Sequence, residues 1–185
     1  MKFFSIIVFS LVIISCSNKQ IILSYEQIQS DKGDIALIKN NKKKIVEIQG
    51  FIIKDSVFTN SSKNKMIFEN VYYEKFTQIC EVWYVDGIKN KPKKLFTGVS
   101  KQICADPELN YLFIQDNEKK KQIGMPVVEV YELPTMTLKY VKKFPEFENE
   151  SIGVETVYYQ DGKFFYNLQN DFDGTELLEI DLAKL

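Results

Sequence analysis

The sequence contains no histidine and no arginine; all 24 of its basic residues are lysine. Without histidine there is no imidazole base, no Ser/His or Cys/His nucleophile pair and no imidazole metal ligand. Without arginine there is no planar fork for bidentate capture of phosphate or carboxylate. The lysines face 25 acidic residues, for a formal net charge of −1, so no long-range field draws in nucleic acid or an anionic surface. Of three cysteines, Cys16, Cys80 and Cys104, no two stand at C-x-x-C spacing, and with no histidine they cannot form a zinc site. Neither a metal nor a cofactor is indicated. A sustained helical period is also missing beyond residue 34. What is present, 45% hydrophobic and 14% aromatic residues, is the composition of a chain that folds around a core.

The N-terminus is the most informative segment. Met1-Lys2 gives a short positive start, and Phe3 to Ile14 is an apolar run interrupted only by Ser5 and Ser10. This is the charged n-region and hydrophobic h-region of an export signal. About 20 apolar residues are needed to span a bilayer, and the run stops at Ser15-Cys16, followed by Ser17-Asn18-Lys19-Gln20. The ending Ile13-Ile14-Ser15-Cys16 resembles the lipobox of bacterial lipoprotein signal peptides. The resemblance covers about the first 20 residues. It implies cleavage between Ser15 and Cys16, diacylglyceryl modification of the Cys16 thiol and acylation of the new amino terminus. Two or three acyl chains hold a protein on a bilayer, since each buried CH2 contributes roughly 0.8 kcal/mol and one chain alone is marginal. Ser17 stands where an Asp in that family favours inner-membrane retention, so outer-membrane or surface display is expected. Residues 1–15 are then a signal peptide forming a signal helix, 16–34 a lipidated tether and 35–185 a single domain.

Export places Cys80 and Cys104 in an oxidising compartment. Closing their separation of 24 residues (104 minus 80) would stabilise by roughly 3 kcal/mol in the chain-entropy model if the Cα atoms lie within about 7 Å. The alternative is two buried thiols acting as small apolar side chains. Both readings stay open.

Within the tether, Ser24-Tyr25-Glu26-Gln27 matches a capping box and Gly33 a helix stop, which predicts two turns of helix. Beyond it, thirteen short β-branched and aromatic segments alternate with turns at Asn40 to Lys44, Asp86-Gly87, Asn117 to Lys121, Asp161-Gly162 and Asp173-Gly174. One predicted strand runs from Ile45 to Lys54, and Ser56 to Asn60 forms another. The pattern predicts an all-β domain, an antiparallel meander of short strands. Tyr111 to Asn117 followed by Val128 to Leu133 sets beside Phe164 to Asn170 followed by Glu176 to Leu182, a repeat of about 53 residues. This repeat resembles β-propeller blades of bacterial envelope proteins over about 80 residues and implies a partial or small propeller; a β-sandwich is the alternative.

Candidate chemistry is thin. Glu146, Glu148, Glu150 and Glu155 cluster, as do Asp171, Asp173, Glu176 and Glu179, so a two-carboxylate glycan hydrolase is formally available. Asp171-Phe172-Asp173-Gly174 fails as a calcium loop because Ile180 falls where a bidentate Glu is needed. Ser62 to Lys65 is an isolated S-x-x-K. Lysine runs at 42–44, 91–94 and 119–121 read as solvating charges that blunt strand edges. Aromatic pairs place rings on both faces of a strand. Trp83, Tyr84, Tyr158 and Tyr159 are therefore candidates for an outward aromatic surface that grips a saccharide or an envelope protein; burial on both faces is the alternative. The expected function is a membrane-anchored, non-enzymatic binding module. A carboxylate-based hydrolase and a periplasmic inhibitor or immunity-type protein are the alternatives.

Overall fold

The computed structural model describes residues 21–29, 33–89, 91–98, 102–116, 127–143, 153–170 and 174–185. Among these are fourteen strands and one terminal 3-10 turn (Leu182–Lys184). The strands form four antiparallel sheets in chain order. The first sheet holds β1 (Leu23–Ile28), β2 (Ile35–Asn40) and β3 (Lys43–Gln49), and the second β4 (Phe51–Thr59), β5 (Lys65–Glu74), β6 (Thr77–Asp86) and β7 (Lys91–Gly98). The third holds β8 (Gln102–Ala105), β9 (Tyr111–Asp116), β10 (Val127–Glu132) and β11 (Thr137–Lys143), and the fourth β12 (Gly153–Gln160), β13 (Lys163–Asn170) and β14 (Gly174–Asp181). Every pairing joins sequence neighbours, so each sheet is a meander. The cleavage site, Cys16, Asn117 to Lys121 and Asp171 to Asp173 lie outside the described residues.

Strand alternation explains how the sheets stack. On β5, Ile67 turns towards the third sheet while Met66 and Phe68 turn towards the first. On β9, Leu112 and Ile114 face the second sheet while Phe113 faces the fourth, and all three are fully buried. Successive side chains point to opposite faces, so a near-continuous apolar run marks a strand covered on both sides. Three cores result: first against second sheet around Ile38, Ile52 and Phe68; second against third around Ile67, Val82 and Leu112; third against fourth around Phe113, Val130 and Phe164. This is the all-β, propeller-like architecture expected from the repeat rather than a two-layer sandwich. Tyr111 opens β9 and Phe164 follows Lys163 at the start of β13, the second strands of the third and fourth sheets, which places the 53-residue repeat one blade apart.

Two expectations are corrected. Ser24 to Gln27 is strand, not helix: β1 pairs with β2 from Leu23↔Asn40 to Ile28↔Ile35. Leu23, Tyr25 and Gln27 alternate with Ser24 and Glu26, and sheet pairing with burial of Leu23 overrides a local capping propensity. The segment Ile45 to Lys54 is also not one strand. Gly50, at φ +112, breaks it into β3 and β4, and β4 absorbs Ser56 to Thr59. A Cβ at Gly50 would stand 2.4 Å from the Val71 carbonyl oxygen, so the close approach requires glycine. Two hairpins follow the anticipated turn chemistry, with positive φ at Asn41 and Lys42 and at Asp161 and Gly162. The lysine run Lys91 to Lys94 begins the edge strand β7.

Candidate functional site

The first strands of the second, third and fourth sheets converge, with β4 and β12 both running against β8. Their C-terminal ends, Val57–Thr59, Cys104–Pro107 and Val157–Tyr159, border a cleft of about 520 Å3. Phe58 is its anchor in the fold, since its ring packs against both the second/third and the third/fourth cores. Tyr159 is half-buried and meets Phe164 edge-on at 5.8 Å between centroids. Its neighbour Tyr158 points the other way, 42% exposed, and stacks on Phe165 at 5.3 Å. One strand thus supplies one ring to the core and one to the surface, both at the rim of the cleft.

The buried carboxylate of the cleft is occupied. Asp106 is buried and accepts backbone N–H bonds from Glu108 (3.2 Å), Asn110 (2.7 Å) and Tyr111 (2.5 Å). That carboxylate holds the β8–β9 turn, in which Leu109 adopts φ +56. The turn is tied to the β4–β5 turn by a hydrogen bond from the Ser61 hydroxyl to Glu108. The Cys104 thiol is pushed up to about 12, first by burial, so it stays protonated and un-nucleophilic. Thr59 and Tyr158 offer groups to a ligand; none of the lining residues is set up as an acid, base or nucleophile.

Cys80 and Cys104 are not joined in a disulfide. They lie on different sheets: Cys80 sits on β6 between Val71 and Gly98, and Cys104 turns into the third/fourth core beside Phe113. Of the two readings, the structure follows that of buried thiols.

The four candidate aromatics do not share a surface, because the third sheet stands between Trp83 and Tyr84 on the second and Tyr158 and Tyr159 on the fourth. Tyr84 is buried in the second/third core, where burial and then Asp86 raise its phenol above the usual range. Trp83 is half-buried and committed: its indole N–H donates to Glu81 at 3.0 Å, Lys94 Nζ donates to the same carboxylate at 2.9 Å, and the ammonium stands 5.9 Å over the indole ring. The hydrogen bond to Glu81 raises the Lys94 ammonium, and burial followed by Glu81 raises Tyr72.

Glu81 was not singled out by sequence, nor was Glu129 on β10, which accepts the Tyr131 hydroxyl at 2.8 Å. A signal exists: Glu81-Val82-Trp83 and Glu129-Val130-Tyr131 occupy the third strand of adjacent sheets, and a ring two residues on lies on the same face. Glu146, Glu148, Glu150, Asp171 and Asp173 lie outside the described residues, as does the Glu155 side chain. Glu176 and Glu179 are exposed, and Glu179 accepts from Lys163 at 2.8 Å. Ser62 lies exposed in the β4–β5 turn. A second, double hollow of about 410 and 360 Å3 opens at the end of the first two sheets, its parts sharing Asp34 and Phe51.

No family model matches the chain, and no curated protein matches it in sequence. Among solved structures it is similar to the β-propeller domain of the Trilobed protease from Pyrococcus furiosus, which has an open velcro topology, with a TM-score of 0.50 and 13% identity. That alignment covers 88% of this chain and 57% of the other. It is also similar to TolB from Acinetobacter baumannii, with a TM-score of 0.50 and 11% identity, over 87% of this chain and 38% of that one. At these identities the likeness shows the fold, and the chain spans little more than half of the first relative and under two-fifths of the second.

Proposed function

We propose that this chain is an envelope lipoprotein, anchored through Cys16, whose propeller-like domain is a non-enzymatic binding module for a segment of an envelope protein. Anchoring is supported by the apolar run ending in Ile13-Ile14-Ser15-Cys16 and by its shortness for a spanning helix. Ser17 favours the outer membrane or surface. The observation that carries the binding reading is the cleft at the ends of β4, β8 and β12. Three sheets bring a mixed apolar and aromatic rim together there, while its carboxylate serves a turn and its thiol stays protonated. Tyrosine rings suit such a rim, because they bring large amphipathic area at low entropic cost.

A photoreactive benzoylphenylalanine in place of Thr59 tests the reading in the native host. A control carries the same group in place of Phe76, which is fully exposed in the β5–β6 turn. The expected result is a discrete protein adduct at Thr59, absent at Phe76 and diminished by Pro107→Glu on the opposite rim. Equal labelling at the two positions contradicts the cleft as the site, and a saccharide adduct replaces the protein partner with a glycan.

A further inference from the structure

The three cores repeat one relationship. In each, one sheet's forward face meets the backward face of the next sheet in the chain. Among the described residues the series leaves two faces over. The backward face of the first sheet carries Ile28, Ile35 and Leu37, with Ile28 directly opposite Ile35 and 37% exposed. The forward face of the fourth carries Tyr158, Phe165 and Leu177, the last 56% exposed. Both have an apolar centre bordered by lysine–glutamate pairs, Lys39–Glu26 and Lys44–Glu47 on one and Lys163–Glu179 on the other.

We infer that the occupant of each leftover face is a second copy of this chain, the fourth sheet of one copy packing on the first sheet of the other, twice, to close a ring of eight sheets. Continuity argues for this pairing: forward face on backward face is the contact already made three times within the chain. A fourth sheet meeting another fourth sheet would break that order. Two such junctions are related by a two-fold axis, so every contact is reciprocated and the assembly is closed. Eight four-stranded or smaller blades lie within the range in which propellers close. The similar propeller structures also extend well beyond the part that four sheets match, with 57% and 38% of their lengths covered. The two-fold would coincide with the channel axis, so both N-terminal segments leave the same face of the ring. Two anchors at Cys16 could then enter one bilayer, although the pairing itself does not depend on the anchor.

The test uses two differently tagged full-length copies, co-expressed and extracted in mild detergent, one with Leu37→Cys and the other with Leu177→Cys. A short bis-maleimide is expected to give a heterodimer bearing both tags, and native mass spectrometry of the unmodified protein is expected to give two copies. Leu177→Lys is expected to weaken dimerisation at least tenfold while leaving Trp83 fluorescence unchanged, since Leu177 lies outside the cores. Three results overturn the inference: a monomer mass, cross-linking of Leu177→Cys copies mainly to one another, or a cross-link within one monomeric chain carrying both cysteines. The last would mean that the four sheets close on themselves.

Discussion

Adjacent residues on β9 test the stacking of sheets most sharply. Leu112 and Phe113 are both fully buried, the first in the second/third core and the second in the third/fourth, where its ring lies 5.8 Å from Phe164 and 5.4 Å from Tyr166. In a sheet with one wet face, one of two neighbours is on the surface and its truncation costs little. Here both truncations open a cavity in a packed core. Phe113→Ala should cost about 3–5 kcal/mol and Leu112→Ala about 2–5 kcal/mol. Leu177→Ala, outside the cores, should stay within about 0.5 kcal/mol in the monomer. For a chain of this size, 1 kcal/mol moves the Tm by about 2–4 °C, so both core variants should melt on the order of 10 °C lower. Urea titration of the full chain in mild detergent, followed by the fluorescence of its one tryptophan, Trp83, reads the difference. A cost below about 1 kcal/mol for either Leu112→Ala or Phe113→Ala would refute burial on both faces of the third sheet.

The remaining predictions concern a strained glycine and a buried thiol. Gly50→Ala should destabilise by on the order of 3 kcal/mol, because a Cβ would meet the Val71 carbonyl at 2.4 Å and Asn70 Nδ2 at 2.9 Å with φ at +112. Gly162→Ala, also at positive φ but with nothing within 4 Å, should cost only about 1 kcal/mol; equal melting shifts for the two would remove the steric argument. Cys104 should resist iodoacetamide at pH 8 until the chain is unfolded. Its native thiol keeps its proton up to about pH 12, whereas an ordinary thiol ionises near 9.0. Between those values the native state holds a proton that the unfolded state has lost, so this contribution to stability is complete below pH 9 and falls as pH rises. Denaturation midpoints should therefore decline less above pH 9 in Cys104→Ala than in the parent, and identical slopes would contradict the assignment.

Much of this architecture was legible in the residues, because its determinants are local. Period-two alternation of β-branched and aromatic residues marks strands, and Asn41-Lys42 and Asp161-Gly162 mark tight hairpins. The repeat pointed to blades since Tyr111 to Leu133 and Phe164 to Leu182 both encode second and third strands. Non-local geometry was not legible. Ser24 to Gln27 has the spacing of a helix cap, and only the partner strand β2 makes it a strand. Whether a ring is outward depends on which sheet lies over it: the same alternation buries Tyr84 and leaves Tyr158 exposed. The buried carboxylates Glu81 and Glu129 escaped notice because acidic residues in strands ordinarily face water. Lys94, the ionic partner of Glu81, becomes evident only once β6 and β7 are paired, whereas the Glu129–Tyr131 contact follows from their i, i+2 spacing on one strand.

The central claim, an anchored envelope module, is tested most directly by intact-mass spectrometry of the full-length gene product, extracted with detergent from its native host. The account predicts a chain beginning at Cys16, lacking residues 1–15 and heavier than the polypeptide by two or three acyl chains, with Cys80 and Cys104 alkylated only after unfolding. In Cys16→Ala it predicts an unprocessed, unacylated precursor. A parent mass that retains residues 1–15 without acyl chains, or processing that is unchanged in Cys16→Ala, would contradict the anchor and the envelope function built upon it.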